Sequence, residues 1–139
     1  MTSIVKRILI CDDIAEHSYL LQAFLQTDNW EIEVAGSGPA VLAKIETDSN
    51  PPDLLILDVM MPEMDGYEVV RHIRRLDKFQ SLPILLVTGL DENYLKKSCN
   101  VKVDGFIQKP IDANAVIARV QAILNQGEDN EIGESFNRN

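Results

Sequence analysis

Five polar residues stand at or just beyond the ends of four short apolar runs. Asp12 and Asp13 follow Ile8-Leu9-Ile10-Cys11, Asp58 follows Leu54-Leu55-Ile56-Leu57, Thr88 follows Pro83-Ile84-Leu85-Leu86-Val87, and Lys109 follows Gly105-Phe106-Ile107-Gln108. If those runs are parallel strands of one sheet, all five residues lie at the carboxyl ends, outside which open α/β sheets bind their ligands. Three carboxylates, a hydroxyl and an ammonium then converge on one rim. Carboxylates so close repel one another and do not all stay ionised cheaply unless a cation neutralises them. Oxygen ligands favour a hard ion, and a small acidic cluster that leaves several waters in place suits Mg²⁺.

The elements that must position these groups alternate along the chain. Residues 4–11 form a β-branched, apolar strand pattern, and 14–26 place Leu20, Leu21, Phe24 and Leu25 at helical spacings. Residues 30–35 alternate apolar and acidic side chains, as an edge strand does. Ser37 before Gly38-Pro39 is a helix start that runs to about Glu46, stopped by Asn50-Pro51-Pro52. Asp53 to Leu57 is a continuous apolar run of the kind found in a central parallel strand. Val69, Val70, Ile73 and Leu76 mark a third helix, and Pro83 to Val87 a fourth strand. Asp91 opens a fourth helix to about Cys99, Gly105 to Gln108 is a fifth strand, and Asp112 caps a last helix ended by Gly127. Five strand–helix units in alternation predict a doubly wound α/β fold with a five-stranded parallel sheet, order 2-1-3-4-5.

Composition bounds the rest. The 139 residues, 45% hydrophobic, fit one domain over 1–125, and residues 126–139 read as a disordered acidic tail. The net charge of −9 argues against a nucleic-acid-binding surface. Two cysteines, Cys11 and Cys99, make neither a disulfide scaffold nor a zinc site. No apolar stretch approaches the ~20 residues that span a bilayer, and the four apolar residues after Arg7 are too short for a secretory signal, so the expected location is cytoplasmic.

Taken in order, Ile8-Leu9-Ile10-Cys11-Asp12-Asp13, then Leu54 to Gly66, Pro83 to Gly89, and Gly105-Phe106-Ile107-Gln108-Lys109-Pro110 resemble the receiver domain of two-component response regulators over residues 4 to about 125. The resemblance implies a flavodoxin-like fold and a stand-alone phosphorylation switch rather than an enzyme. It makes Asp58 the phosphoacceptor, with Mg²⁺ bound by Asp13, Asp58 and the Met60 carbonyl, and by Asp12 mainly through water. Lys109 pairs with Asp58 before transfer and with a phosphoryl oxygen afterwards. Thr88 donates to another oxygen, the Val59 and Gly89 amides complete the cradle, and Phe106 is the aromatic switch. The Lys109–Pro110 bond is expected to be cis. The implied phosphodonor is a sensor histidine kinase or histidine phosphotransfer protein, and the output is docking on a further protein or phosphorelay. In-line transfer is mostly a matter of position and charge, and Mg²⁺ with Lys109 offsets the repulsion between a carboxylate nucleophile and a phosphoryl donor.

Each residue also has an ordinary reading. Asp12 and Asp13 occupy a place where helix N-caps are common, Asp58 near Pro62 and Asp65-Gly66 fits turn chemistry, and Thr88 and Lys109 alone are a strand residue and a surface charge. Phe106 fits a core position, Cys11 a small buried hydrophobe, and His17 and His72 solvent-facing helix positions without metal-ligand companions. Three other functions compete. A Mg²⁺-dependent phosphohydrolase would use Asp58 as nucleophile, but the second acid such enzymes carry two residues on is here Met60. A flavodoxin-type cofactor binder needs a Ser/Thr/Gly-rich first loop, where Asp12-Asp13 is electrostatically wrong. A phosphorylation-independent interaction module has less need of all five polar groups. Against the receiver pattern it resembles, the chain departs at residues 100–104 from the small-residue stretch common before the last strand, and Met60 and Leu90, two residues past Asp58 and Thr88 at positions that the resemblance implies influence attacking water, are apolar, so slow phosphoryl loss is expected.

Overall fold

The computed structural model describes residues 5–27, 29–89 and 101–125. The helix expected from Asp91 to about Cys99 and the tail 126–139 lie outside the described residues. The chain runs β1 (Lys6–Cys11), α1 (Ala15–Leu25), β2 (Trp30–Ala35), α2 (Gly38–Thr47), β3 (Leu54–Asp58), α3 (Gly66–Arg75), a 3₁₀ turn (Asp77–Phe79), β4 (Ile84–Thr88), β5 (Gly105–Gln108) and α4 (Ala113–Leu124). The five strands form one parallel sheet in the order β2-β1-β3-β4-β5, as the alternation of units predicted.

Strand parity divides the core into two layers. Side chains alternate between the faces of a sheet, so Leu9, Cys11, Leu55, Leu57, Ile84 and Leu86 pack with Val41, Ile45, Val69, Val70 and Ile73 on the α2–α3 side. Ile8, Ile10, Leu54, Ile56, Leu85, Val87 and Ile107 pack with Leu21, Leu25, Val116, Val120 and Leu124 on the α1–α4 side. β3 is buried along its whole length, which is why its sequence is a continuous apolar run rather than an alternating one.

The helix ends follow their local chemistry. Ser37 caps α2 by accepting the Ala40 N–H at 3.2 Å, with Pro39 in the first turn. Asp65 and Glu68 form a reciprocal capping box at the start of α3, and Asp112 caps α4. Three expectations need correction. The last helix ends at Leu124 with Asn125 as its C-cap, before Gly127. Leu20 is 43% exposed, because α1 buries Ser18, Leu21 and Leu25 at 3.6-residue spacing and leaves the next position outside. β3 and β4 each start one residue later than expected, and they end in Asp58 and Thr88 as expected.

Candidate functional site

The sheet's parallel sense brings four chain segments to one edge. Asp12 directly follows β1, Asp58 ends β3, Thr88 ends β4 and Lys109 directly follows β5. The ladder sets their relative depth: Asp58 pairs in register with Val87, and Thr88 with Gln108. Asp12, Asp58 and Val87 share the parity of the α1–α4 layer. Thr88 and Phe106 share the opposite parity, and Phe106 packs against the α2–α3 layer.

Asp12 and Asp58 are buried, at 4% and 3% exposure, and Thr88 is buried too; Asp13 is exposed. One carboxylate oxygen from each of Asp12, Asp13 and Asp58 can be chosen so that all three lie within 4.8 Å of one another. Lys109 Nζ lies 3.2 Å from Asp58 Oδ1 and 4.0 Å from Asp12 Oδ2. Asp58 Oδ1 is nonetheless buried without an aligned hydrogen bond, so the ammonium compensates it as a charge rather than as a directed donor. Burial first, and then Asp12, push the Asp58 carboxyl above the usual carboxylate range, with Lys109 pulling against them. The same surroundings push the Cys11 thiol up to about 12, chiefly through burial. Cys11 faces Met61 with its sulfur 3.6 Å from the thioether, the buried apolar role expected of it.

A buried carboxylate oxygen short of donors, in a cluster of three acids with one amine, is a donor set that a hard divalent cation completes. The residues present therefore fit Mg²⁺. Met60, the fourth expected ligand through its carbonyl, is 69% exposed.

The loop from Asp58 to Asp65 is held close beneath the site by Gly66. Its N–H donates to Val59 O at 2.9 Å, and a Cβ on residue 66 would lie 2.6 Å from Asp58 O and 2.9 Å from Val59 Cα. Glycine is needed there for close approach of two backbones, not for a left-handed turn. Within the loop Glu63 takes φ 68°, in the left-handed region. The Lys109–Pro110 peptide is cis, as expected.

The site differs from expectation in three ways. The ordinary reading of Asp12 and Asp13 as N-caps of α1 does not hold: that position is Ile14, whose N–H donates to Asp12 Oδ1 at 2.9 Å. The Val59 amide donates to Val87 O at 3.0 Å and is committed to the sheet, so it does not line the anion cradle. His17 does not simply face solvent. Its Nδ1 lies 3.2 Å from Asp12 Oδ2 and 3.2 Å from Lys109 Nζ. The signal for it was its place five residues after Asp12, on the first turn of the helix that leaves the rim. Leu90 lies outside the described residues.

A family model for the response regulator receiver domain matches residues 8–121. The chain belongs to the response regulator receiver family. Among curated relatives it is 37% identical over 124 residues to the alkaline phosphatase synthesis transcriptional regulatory protein PhoP of Bacillus subtilis, covering 88% of this chain and 50% of the relative. It is 36% identical over 118 residues to the response regulator PleD of Caulobacter vibrioides, covering 84% of this chain and 26% of that one. The receiver thus spans about half or less of the curated relatives it matches. Among solved structures it superposes on the chemotaxis response regulator CheY4 of Vibrio cholerae with a TM-score of 0.78 at 26% identity, covering 86% of this chain and 99% of the other. The signal receiver domain of a Syntrophus aciditrophicus signal transduction histidine kinase gives a TM-score of 0.78 at 28% identity, covering 88% and 92%. The receiver fold and the two-component class expected from the sequence are therefore established. Among the described residues, no helix is long and apolar enough to cross a membrane.

Proposed function

We propose that this receiver takes a phosphoryl group from a phosphohistidine, on a sensor histidine kinase or a histidine phosphotransfer protein, onto Asp58. The observation that carries the reading is Asp58 itself: a buried strand-end carboxylate, 3.2 Å from Lys109 and grouped with Asp12 and Asp13. Asp12, Asp13, Asp58 and the Met60 carbonyl would hold Mg²⁺. When bound, that ion supplies the charge that lets an anionic donor approach three carboxylates.

The chain's own residues supply the rest. An Asp58 oxygen attacks the phosphorus as the phosphorus–nitrogen bond to the donor histidine breaks, and the pair of electrons leaves with the imidazole. Lys109 moves its charge from the Asp58 carboxylate to a phosphoryl oxygen, a displacement of a few ångströms that keeps it in the same pocket. The product carries about −1.5 to −2 charges at neutral pH, by analogy with other phosphoresidues. Thr88 donates its hydroxyl to a second phosphoryl oxygen. That new partner gives the two states of β4 a differential interaction, which a conformational shift requires. Phe106 lies on the same sheet face as Thr88, on the neighbouring strand, and follows its movement as the switch residue. The signal then passes by docking on a further protein or by phosphorelay, in the cytoplasm.

The experiment is incubation with radiolabelled acetyl phosphate and Mg²⁺. One equivalent of base- and hydroxylamine-sensitive label is expected in the parent, and none in Asp58→Ala. Continuous release of phosphate with no stoichiometric labelling would instead favour the phosphohydrolase.

A further inference from the structure

Val101 and Lys102 belong to the stretch where the chain departs from the receiver pattern, and they form one side of a groove. This open cleft of about 380 Å³ is lined by Arg71, Arg74 and Arg75 of α3, by Gln80, and by Val101 and Lys102. Four cations thus line it with no acid among its described lining residues, in a chain of 13 basic and 22 acidic side chains. Gln80 precedes β4 and Lys102 precedes β5, so the groove lies at the amino ends of the strands, away from the rim that holds Asp58.

Arg74 is committed to the fold. Its Nε donates to Lys102 O at 2.9 Å, its Nη1 to Phe79 O at 2.9 Å, and its Nη2 lies 3.7 Å from Asp104 Oδ1. It therefore ties the stretch before β5 to α3 and sets the width of the groove. Arg71, Arg75 and Lys102 are exposed, and among the described residues their side chains form no ion pair or hydrogen bond. The dipole of α3 accounts for cations in its last turn, Arg74 and Arg75 among them. It does not account for Arg71, which stands four residues before Arg75. Like charges at that spacing share one face and destabilise a helix. An adjoining cleft of about 290 Å³ shares both arginines and adds His72 and Glu68. Glu68 is drawn to the helix start by its capping box with Asp65, so the two arginines keep no counter-ion there.

We propose that this groove docks an extended acidic segment of a partner protein. Arg71 and Arg75 are separated by about 6 Å along the helix axis. Alternate residues of an extended chain project to one side about 6.6 Å apart. Carboxylates at positions i and i+2 of the segment therefore meet the two guanidinium forks in register, each in a geometry that allows a bidentate pair. Lys102 adds a third charge from the β5 side, and Val101 gives the segment an apolar contact. Nucleic acid fits less well, because its charged backbone calls for a broad basic face and this chain carries a net charge of −9. The groove and the Asp58 rim lie at opposite ends of the sheet, so a docked partner leaves the rim open. The inference goes beyond the phosphoacceptor reading and does not rest on it.

The test is an NMR titration of the ¹⁵N-labelled full chain at low salt, where surface charges are least screened. The probe is an acetylated, amidated peptide of alternating glutamate and serine. Saturable shifts are expected at the Arg71 and Arg75 Nε–H groups and at the Val101 and Lys102 amides, while the Asp12 and Asp58 amides stay in place. Arg71→Gln with Arg75→Gln weakens binding by about 10-fold or more, as the loss of two charge-assisted contacts does. Lys6→Gln with Arg119→Gln removes the same charge elsewhere and keeps the parent's affinity. No saturable shift up to about 2 mM peptide overturns the proposal. So does equal affinity of the two double variants, or equal binding of a glutamine–serine peptide. Tighter binding of a single-stranded oligonucleotide at the same signals overturns it in favour of nucleic acid. Neutralising the tail in the full chain (Glu128→Gln, Asp129→Asn, Glu131→Gln, Glu134→Gln) leaves the Arg71 and Arg75 signals of the free protein where they were. If those signals move, the chain's own tail is the occupant and the partner proposal fails.

Discussion

Replacing Asp58 by asparagine should stabilise the fold. The carboxylate is 3% exposed, its Oδ1 lacks an aligned hydrogen bond, and Asp12 and Asp13 crowd it. Burial and Asp12 hold its carboxyl above the usual range in the folded chain, so at neutral pH the ionised form favours the unfolded state, where water solvates it. Asparagine keeps the shape and removes the charge. Lys109 is not stranded by the change, because His17 Nδ1 lies 3.2 Å away and Asp12 4.0 Å away. The cost of a buried, poorly satisfied polar group is about 1–3 kcal/mol, and with a urea m-value of about 1–3 kcal/mol/M the midpoint should rise by about 1 M. The assay is urea unfolding in EDTA at pH 7.5 and again at lower pH. Between the ordinary carboxylate range and the raised folded value, the native state binds more protons than the unfolded one. Parent stability therefore falls as pH rises through that window. The advantage of Asp58→Asn is full above the window and fades below it, near about pH 4. Mg²⁺ at ten times its dissociation constant stabilises the parent by about 1.4 kcal/mol and narrows the gap from the other side. A lower midpoint for Asp58→Asn at pH 7.5 in EDTA, or a gap that widens on acidification, would refute the reasoning.

Other substitutions probe the supports of the site. Gly66→Ala places a Cβ 2.6 Å from Asp58 O, so unfolding free energy should drop by about 1–3 kcal/mol; a urea midpoint equal to the parent's contradicts this. Cys11, with its thiol pushed up to about 12, should react with iodoacetamide at pH 8 on the order of 10³ times more slowly than a free thiol, measured in a Cys99→Ser background. Labelling at the free-thiol rate in the native state would show the pocket wall is open. Met60→Asn combined with Leu90→Glu should shorten the lifetime of phosphorylated protein, followed by loss of label, if residues 60 and 90 influence attacking water as the receiver resemblance implies. A double variant that keeps its phosphate as long as the parent counts against the expectation of slow phosphoryl loss.

Most of the fold was legible because this sheet leaves a plain trace in sequence. β3 and β4 are buried on both faces and read as unbroken apolar runs, and the caps Ser37 and Asp112 mark two helix starts. The rim residues were legible for a topological reason: parallel strands all deliver their last residues to the same edge. What escaped depends on pairing and side-chain direction. The ladder, not composition, commits the Val59 amide to Val87. Leu20 resembles its neighbour Leu21 in type, and only the helix phase separates them. His17 could be placed near the rim from its position five residues after Asp12, but its contact with Lys109 has no local signature, because that amine lies 92 residues away along the chain.

Intact-mass measurement after exposure to acetyl phosphate and Mg²⁺, followed by peptide mapping, tests the central assignment most directly. The arrangement of Asp58, Lys109, Asp12 and Asp13 predicts a gain of one phosphoryl group, mapped to the peptide containing Asp58 and absent from Asp58→Asn. An equal gain in the variant, or a modified residue elsewhere, would contradict it.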